Sequence, residues 1–287
     1  MMNKENDILL EISKIKNLPP LPESSIRIIS AVNDPDIPVD ALVDVLALSP
    51  VLVARLLGLA NSAFFARAGE IVDLRIAIIQ VLGLNLVKSM ALSIVLNVEL
   101  KTNSCEMFDA NFFWSHSLVT AYIAQKIAQQ IKDPLILPNI AYTSGLLLNI
   151  GLIAAIHVFP ETLNAIFAKK VQTNGGVANE LFFLLGKNQY DIGSILLERW
   201  QLPEVYQTIT AQFRKSDFNG EEKGFVKMIE LSHWAAIFVV EDKMDELPDF
   251  SDLLNEVSFS TDMLSKIMDD IYSSKDGILE LAAIIGE

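Results

Sequence analysis

The chain has 287 residues, 51% of them apolar, a single cysteine and a formal charge of −14. Such a chain can bury one large core or two smaller ones without staples, and the lone Cys105 excludes an intrachain disulfide framework. The acidity repels phosphate backbones, and no run of Lys or Arg interleaved with aromatics offsets it, so no nucleic-acid partner is expected.

Apolar spacing is helical almost throughout, and alternation of the strand type is hard to find, which predicts an all-α protein. The opening MMNKENDILLEISK is too charged for a secretory signal, and a cytoplasmic location is expected. Residues 7–16 form a short amphipathic segment. Leu18-Pro19-Pro20-Leu21-Pro22 follows as an extended stretch, because each proline holds the preceding residue out of the α region.

A first helix is predicted over residues 22–32, stopping at Asn33-Asp34-Pro35, and a second over 39–48. Ser49-Pro50 supplies a capping hydroxyl and a proline at the first helical position for a third, ending near Asn61. A fourth runs over 73–82 and stops at Gly83, and Asn85 is expected to cap a fifth reaching about residue 100. Residues 101–106 read as a polar loop. Further helices are expected near 108–131, 138–158, 161–172, 178–185, 192–200 and 203–213, with Gly175-Gly176 as a turn between two of them.

Residues 214–224 are polar, contain two glycines and suit a linker or exposed turn. Beyond them lie three or four helices, including 225–240 and 263–272. Much of the acidity is here: residues 241–287 carry 13 acids and 3 Lys, a net of −10, against −4 for the rest. No charged residue lies between Asp133 and Glu161, but polar residues such as Asn139, Thr143, Ser144 and Asn149 interrupt the stretch. A spanning helix wants about 20 mostly apolar residues, so a buried core helix is expected, with no membrane partner.

The chemistry-bearing residues are sparse. Ser115, His116 and Ser117 are adjacent, yet neighbours on a helix point about 100° apart, which is unsuited to a nucleophile and its base. His157 and His233 lie in apolar surroundings, and Glu106 beside Cys105 disfavours a reactive thiolate. No glycine-rich loop runs into a helix with a following Lys-Ser/Thr, so no phosphate cradle of a known loop type is present. Asn61 and Ser62 are suited to end a helix through side-chain to backbone hydrogen bonds. Phe64 and Phe65 would anchor the following loop, as core residues or, if exposed, as a partner-contact segment.

Several separated stretches, in order, resemble the HDOD family, the HD-related output domains of bacterial signalling. They are LPPLPESSIRIISAVNDPD, LSPVLVARLLGLANSAFF and DLRIAIIQVLGLNLVKSMAL, then FFWSHSLVTAYIAQKIA, SGLLLNIGL and IGSILLERWQLPE. The resemblance covers about residues 15–213. It implies two packed helical bundles, the second HD-domain-like, with additional C-terminal helices. The expected divisions are an N-terminal segment 1–14, a helical subdomain 15–102, a degenerate HD-like subdomain 103–213 and an acidic helical extension 214–287.

In the HD superfamily a divalent metal is held by an early His, a His-Asp pair and a late Asp. His116 matches the early His, while Leu148 and Asn149 stand at the pair. Gln189 falls near a further His of the motif, and Ala236 near the late Asp, on a loose alignment. One imidazole supplies neither the ligand number nor the negative charge of a catalytic site, so no metal, no cofactor and no catalytic residue are expected. The resemblance therefore implies a non-catalytic output or scaffold module acting through protein contacts. Two alternatives stay open: an HD-type phosphohydrolase with ligands such as Asp191 or Glu198, or a nucleotide sensor using the vacated pocket. The sequence does not give the oligomeric state.

Overall fold

A computed structural model describes residues 21–62, 65, 69–100, 102–169 and 174–286. The amphipathic segment expected at 7–16 and residue Phe64 lie outside the described residues. Among these there is no β-strand, and the chain is all-α as its periodicity predicts.

Local signals set most helix starts and stops. Helix α1 spans Glu23–Asn33 and α2 spans Val39–Leu46. Ser49 caps α3 (Pro50–Ala60), its hydroxyl accepting from Leu52 N at 3.3 Å with Pro50 at the first helical position. Asp73 likewise caps a short α-helical turn, α4 (Leu74–Ile76), by accepting from Ile76 N at 2.8 Å. That turn widens into a π-helix over Ala77–Leu82, which the apolar spacing does not distinguish from an ordinary helix. Gly83, at φ +80°, is the whole connection to α5 (Leu84–Glu99). Asn85 consequently lies inside α5 and does not cap it, contrary to expectation.

Helices α6 (Ala110–Ala128) and α7 (Pro138–Leu147) follow. The single helix expected over 138–158 is two, because the chain turns at Leu148 and Asn149 before α8 (Ile150–Val158). By length and composition the stretch Pro138–Val158 suffices to cross a membrane, but most of it is buried. Then come α9 (Pro160–Ala168), α10 (Asn174–Leu185), α11 (Gln189–Arg199) and α12 (Glu204–Gln212). Gly175 and Gly176 sit in the first turn of α10 instead of forming a separate turn. There the backbone N–H groups lack helical partners in any case, so glycine costs little. Four helices close the chain: α13 (Lys223–Val240), α14 (Ser251–Val257), α15 (Thr261–Tyr272) and α16 (Lys275–Gly286).

The helices form two compact units built from non-contiguous segments. One comprises Leu21–Glu99, Ala110–Leu146 and Lys223–Glu287. In it α6 is the central element, packed by α13, α15 and α16, while α16 also meets α3 and α5. Its core holds Trp114, Leu118, Ile123, Met228, Leu231 and Leu281, all at most 1% exposed. Arg55 and Asn97 both donate to the carbonyl of Ile285, at 3.1 and 2.8 Å, tying α3 and α5 to the end of α16. Gly145 of α7 lies so close to α6 that a Cβ would stand 2.8 Å from Ala121 Cα.

The other unit includes Leu100–Asp109 and Leu147–Glu222. Here α11 packs on α8 and α12, and α9 bridges α8 and α10. Asn164 of α9 fixes the loop before α6: its Oδ1 accepts from Met107 N at 3.2 Å and its Nδ2 donates to Ser104 O at 3.2 Å. The thiol of Cys105 faces the same Oδ1 at 3.3 Å, and burial pushes its pKa up. Such a thiol is protonated at neutral pH and is not a ready nucleophile.

Candidate functional site: the HD-equivalent positions

His116 is set on α6 among almost continuously buried residues, and is itself 5% exposed. Its Nε2 lies 3.1 Å from the carbonyl of His233 on α13. A carbonyl can only accept, so Nε2 carries the proton and donates. The two imidazoles meet edge to face with centroids 4.6 Å apart, and Trp234 packs edge-on against His233 at 5.2 Å. His233 has no charged residue beside it in the sequence, and in the structure it serves as a packing partner and a backbone acceptor. A buried histidine on an apolar helix is a signal for such pairing, but it does not name the partner.

Burial is the main influence on the His116 imidazole and lowers its pKa from 6.5 to about 4; the His233 carbonyl and the charge of Glu241 oppose the shift. The unfolded chain therefore binds more protons than the native one between these values. Stability from this group is complete above about pH 6.5 and is lost as pH falls towards 4. The loss is on the order of 3 kcal/mol. His116→Gln, which keeps a donor, should show a correspondingly shallower loss, read by urea unfolding at several pH values between 7 and 4.

The remaining HD-equivalent positions offer little to a cation. Ala236, on α13 in the same compact unit as His116, is fully buried and has no donor atom. Leu148, Asn149 and Gln189 belong to the other unit. Leu148 is fully buried, while Asn149 and Gln189 are 6% and 4% exposed and carry no charge.

Close backbone packing dominates around them. An ideal Cβ on Gly151 would stand 1.9 Å from the carbonyl oxygen of Gln189 and 2.3 Å from Gly193 N, so α8 and α11 touch main chain to main chain. Gln189 opens α11 beside a capping box missed by sequence reasoning. Asn188 Oδ1 accepts from Tyr190 N and Asp191 N at 2.9 and 3.0 Å, and Asp191 Oδ2 accepts from Asn188 N at 3.1 Å. The spacing Asn188-x-x-Asp191 was the available signal.

Among the described residues no group of three or more His, Cys, Asp or Glu is arranged to hold a metal ion. Asp191 is engaged in its cap and Glu198 is exposed. The residues present thus do not fit the divalent cation that the HD superfamily holds, which needs several anionic or imidazole donors converging on one point. A separate cleft of about 200 Å³ is lined by Asn179, Asn188, Asp191, Arg214 and Lys215 among others. None of the HD-equivalent residues lines it.

The second candidate segment lies at the end of α3. Asn61 Nδ2 donates to Leu57 O and Ile71 O, both at 2.8 Å, and its Oδ1 accepts from Ile71 N at 2.7 Å. One side chain thereby ends the helix and clamps the returning chain. Ser62 differs from expectation: its backbone N–H donates to Leu59 O, while its hydroxyl makes no hydrogen bond. The geometry already satisfies the last turn through the main chain, leaving no role for the hydroxyl. Phe65 is half-buried.

The all-helical fold is that of an HDOD or HD-like domain. The HDOD domain family model matches residues 18–215, and the chain belongs to that family. It is 27% identical over 199 residues to an uncharacterized protein of Treponema pallidum (strain Nichols), covering 68% of this chain and 37% of that relative. Solved structures resemble it as well. A protein from Marinobacter aquaeolei VT8, named for signal transduction, has a TM-score of 0.81 at 24% identity, over 99% of this chain and 66% of its own. A protein from Shewanella amazonensis SB2B, named for phosphohydrolase activity, has 0.74 at 22%, over 95% and 97%. An HDOD domain protein with unknown function from Geobacter sulfurreducens has 0.70 at 22%, over 99% and 98%. The chain therefore spans about a third of the Treponema relative and two thirds of the Marinobacter protein, and at these identities the structural likeness concerns the fold.

Proposed function

We propose that this HDOD chain is a non-catalytic signalling output module that acts through contacts with another protein. The observation that carries the reading is the donor set. By the resemblance Leu148 and Asn149 stand at the metal-binding pair and Ala236 falls near the late acid, and the Nε2 proton of His116 is committed to the His233 carbonyl. Without converging donors there is no means of lowering the pKa of a bound water for hydrolysis. Burial of His116 in a neutral state agrees with a packing role.

The test is to purify the chain, quantify bound Mn, Fe, Zn, Mg and Ni, and assay hydrolysis of nucleotides and phosphodiesters. Substoichiometric metal and no turnover above background are expected. Stoichiometric metal with turnover abolished by His116→Ala would overturn the reading and favour the phosphohydrolase alternative.

A further inference from the structure

Helix α3 presents an apolar side to solvent. Its sequence PVLVARLLGLA has one charged residue, Arg55, which is half-buried and donates to Ile285 O. Its exposed positions include Val51, Ala54 and Gly58, with Val51 50% exposed and open space around Gly58. An amphipathic surface helix ordinarily turns charged residues outward. The Asn61 clamp on Ile71 brings the next residue, Val72, to the end of α3, and Val72 is 74% exposed. From there α4 and its π-helical continuation, which packs on α3, expose Ile76 at 40% and Ile79 at 57%. Single π-helical turns of this kind are rare and are frequent at functional sites.

The stretch of chain that carries this surface has an excess of acids. Residues 34–83 include six acids and three arginines. Arg75 of α4 is spent on Asp40 of α2 at 2.6 Å. Asp36 lies beside Lys88 of α5, whereas Asp44, Glu70 and Asp73 are exposed, and Asp73 also caps α4. A second copy of the chain would bring the same excess of acids and a charge of −14 to the contact. Like charges across an interface disfavour that occupant, whereas a cationic border on a partner is attracted.

We propose that the face formed by α3 and α4 is the docking surface for a basic amphipathic helix of a partner protein. This rests on the reading of the chain as a protein-contact module and specifies where contact occurs and with what chemistry. Apolar side chains of the partner would cover Val51, Val72, Ile76 and Ile79, and its Lys or Arg residues would meet the exposed acids, in the manner of helix-in-groove recognition.

The test uses the full chain and two fluorescent synthetic peptides of about five helical turns. Both carry the same leucine stripe; one has Lys on its polar face and the other Glu. Anisotropy should show binding of the Lys peptide only, weakened by salt. Ile79→Ser and Val51→Ser, checked for unchanged circular dichroism and melting, should each weaken it about tenfold. Phe183→Ser, on α10, should leave it unchanged. Asp44→Asn should reduce the salt dependence.

Equal binding of both peptides, no binding, or binding indifferent to Ile79→Ser and Val51→Ser would overturn the inference. So would a dimer of the chain that Ile79→Ser dissociates. A physiological partner insensitive to these variants would refute this face while leaving the signalling-module reading intact. His116-dependent hydrolysis would refute that reading whatever the peptides do.

Discussion

Gly151→Ala is expected to destabilise the unit containing Leu147–Glu222 by roughly 4 kcal/mol or more, in the range reserved for disrupted cores. The atoms that a methyl group would meet are the Gln189 carbonyl oxygen at 1.9 Å and Gly193 N at 2.3 Å, both main chain. Neither can rotate away as a side-chain end can, so α8 and α11 would have to separate along their buried contact. That contact holds Ile150, Ile153 and Ala154 on one helix and Ile192, Leu196 and Leu197 on the other, all at most 1% exposed. Gly193→Ala provides the contrast. Its nearest neighbours are Thr210 Cγ2 at 3.1 Å, a side-chain methyl that can shift, and Gly151 N at 3.3 Å, where the backbone need give by only a few tenths of an ångström, and alanine favours the helix. That variant should stay within about 1 kcal/mol of wild type. Urea unfolding followed through Trp200, which is 4% exposed in this unit, reads both. Equal midpoints for Gly151→Ala and Gly193→Ala would refute the close-contact argument.

Ending the chain after Gly220 is expected to unfold the unit centred on α6. The deleted segment contains α13, which covers the buried side of α6, and α16, whose Ile285 carbonyl receives Arg55 and Asn97. Met228, Ile229, Leu231, Ala235, Val239, Leu281, Ala282 and Ile285 are all fully buried and would be lost together. Burying a Leu, Ile, Val or Met side chain contributes about 1.5–3 kcal/mol. Removing several such side chains exceeds the roughly 5–15 kcal/mol by which a domain is ordinarily stable. Trp114, 1% exposed in the native unit, should then emit as a solvated indole, and the near-ultraviolet dichroism of the unit should collapse. A truncated chain with native dispersion and an unshifted Trp114 would show that the acidic helices are an appendage.

Some of this was legible residue by residue. Ser49-Pro50, Asp73 and Gly83 punctuate the chain where the sequence says they should, because a cap or a left-handed turn depends on atoms within one helical turn. The order of separated motifs likewise identified the HDOD family. At the candidate site only side-chain chemistry was legible: Leu148, Asn149 and Ala236 carry no charge, whatever surrounds them. The pairing of His116 with His233 was not legible, since it depends on α6 and α13 lying side by side across 117 residues of chain.

The sequence by itself determined the helical class and most helix boundaries, since periodicity and capping are local properties. The tertiary structure decided that the chain turns at Leu148–Asn149, that Gly151 meets Gly193, and that the acidic C-terminal helices join residues 21–99 in one unit. It also decided which apolar residues of α3 and α4 stay in solvent. Each of these depends on which helix faces meet, and apolar periodicity marks a face for burial without naming its partner.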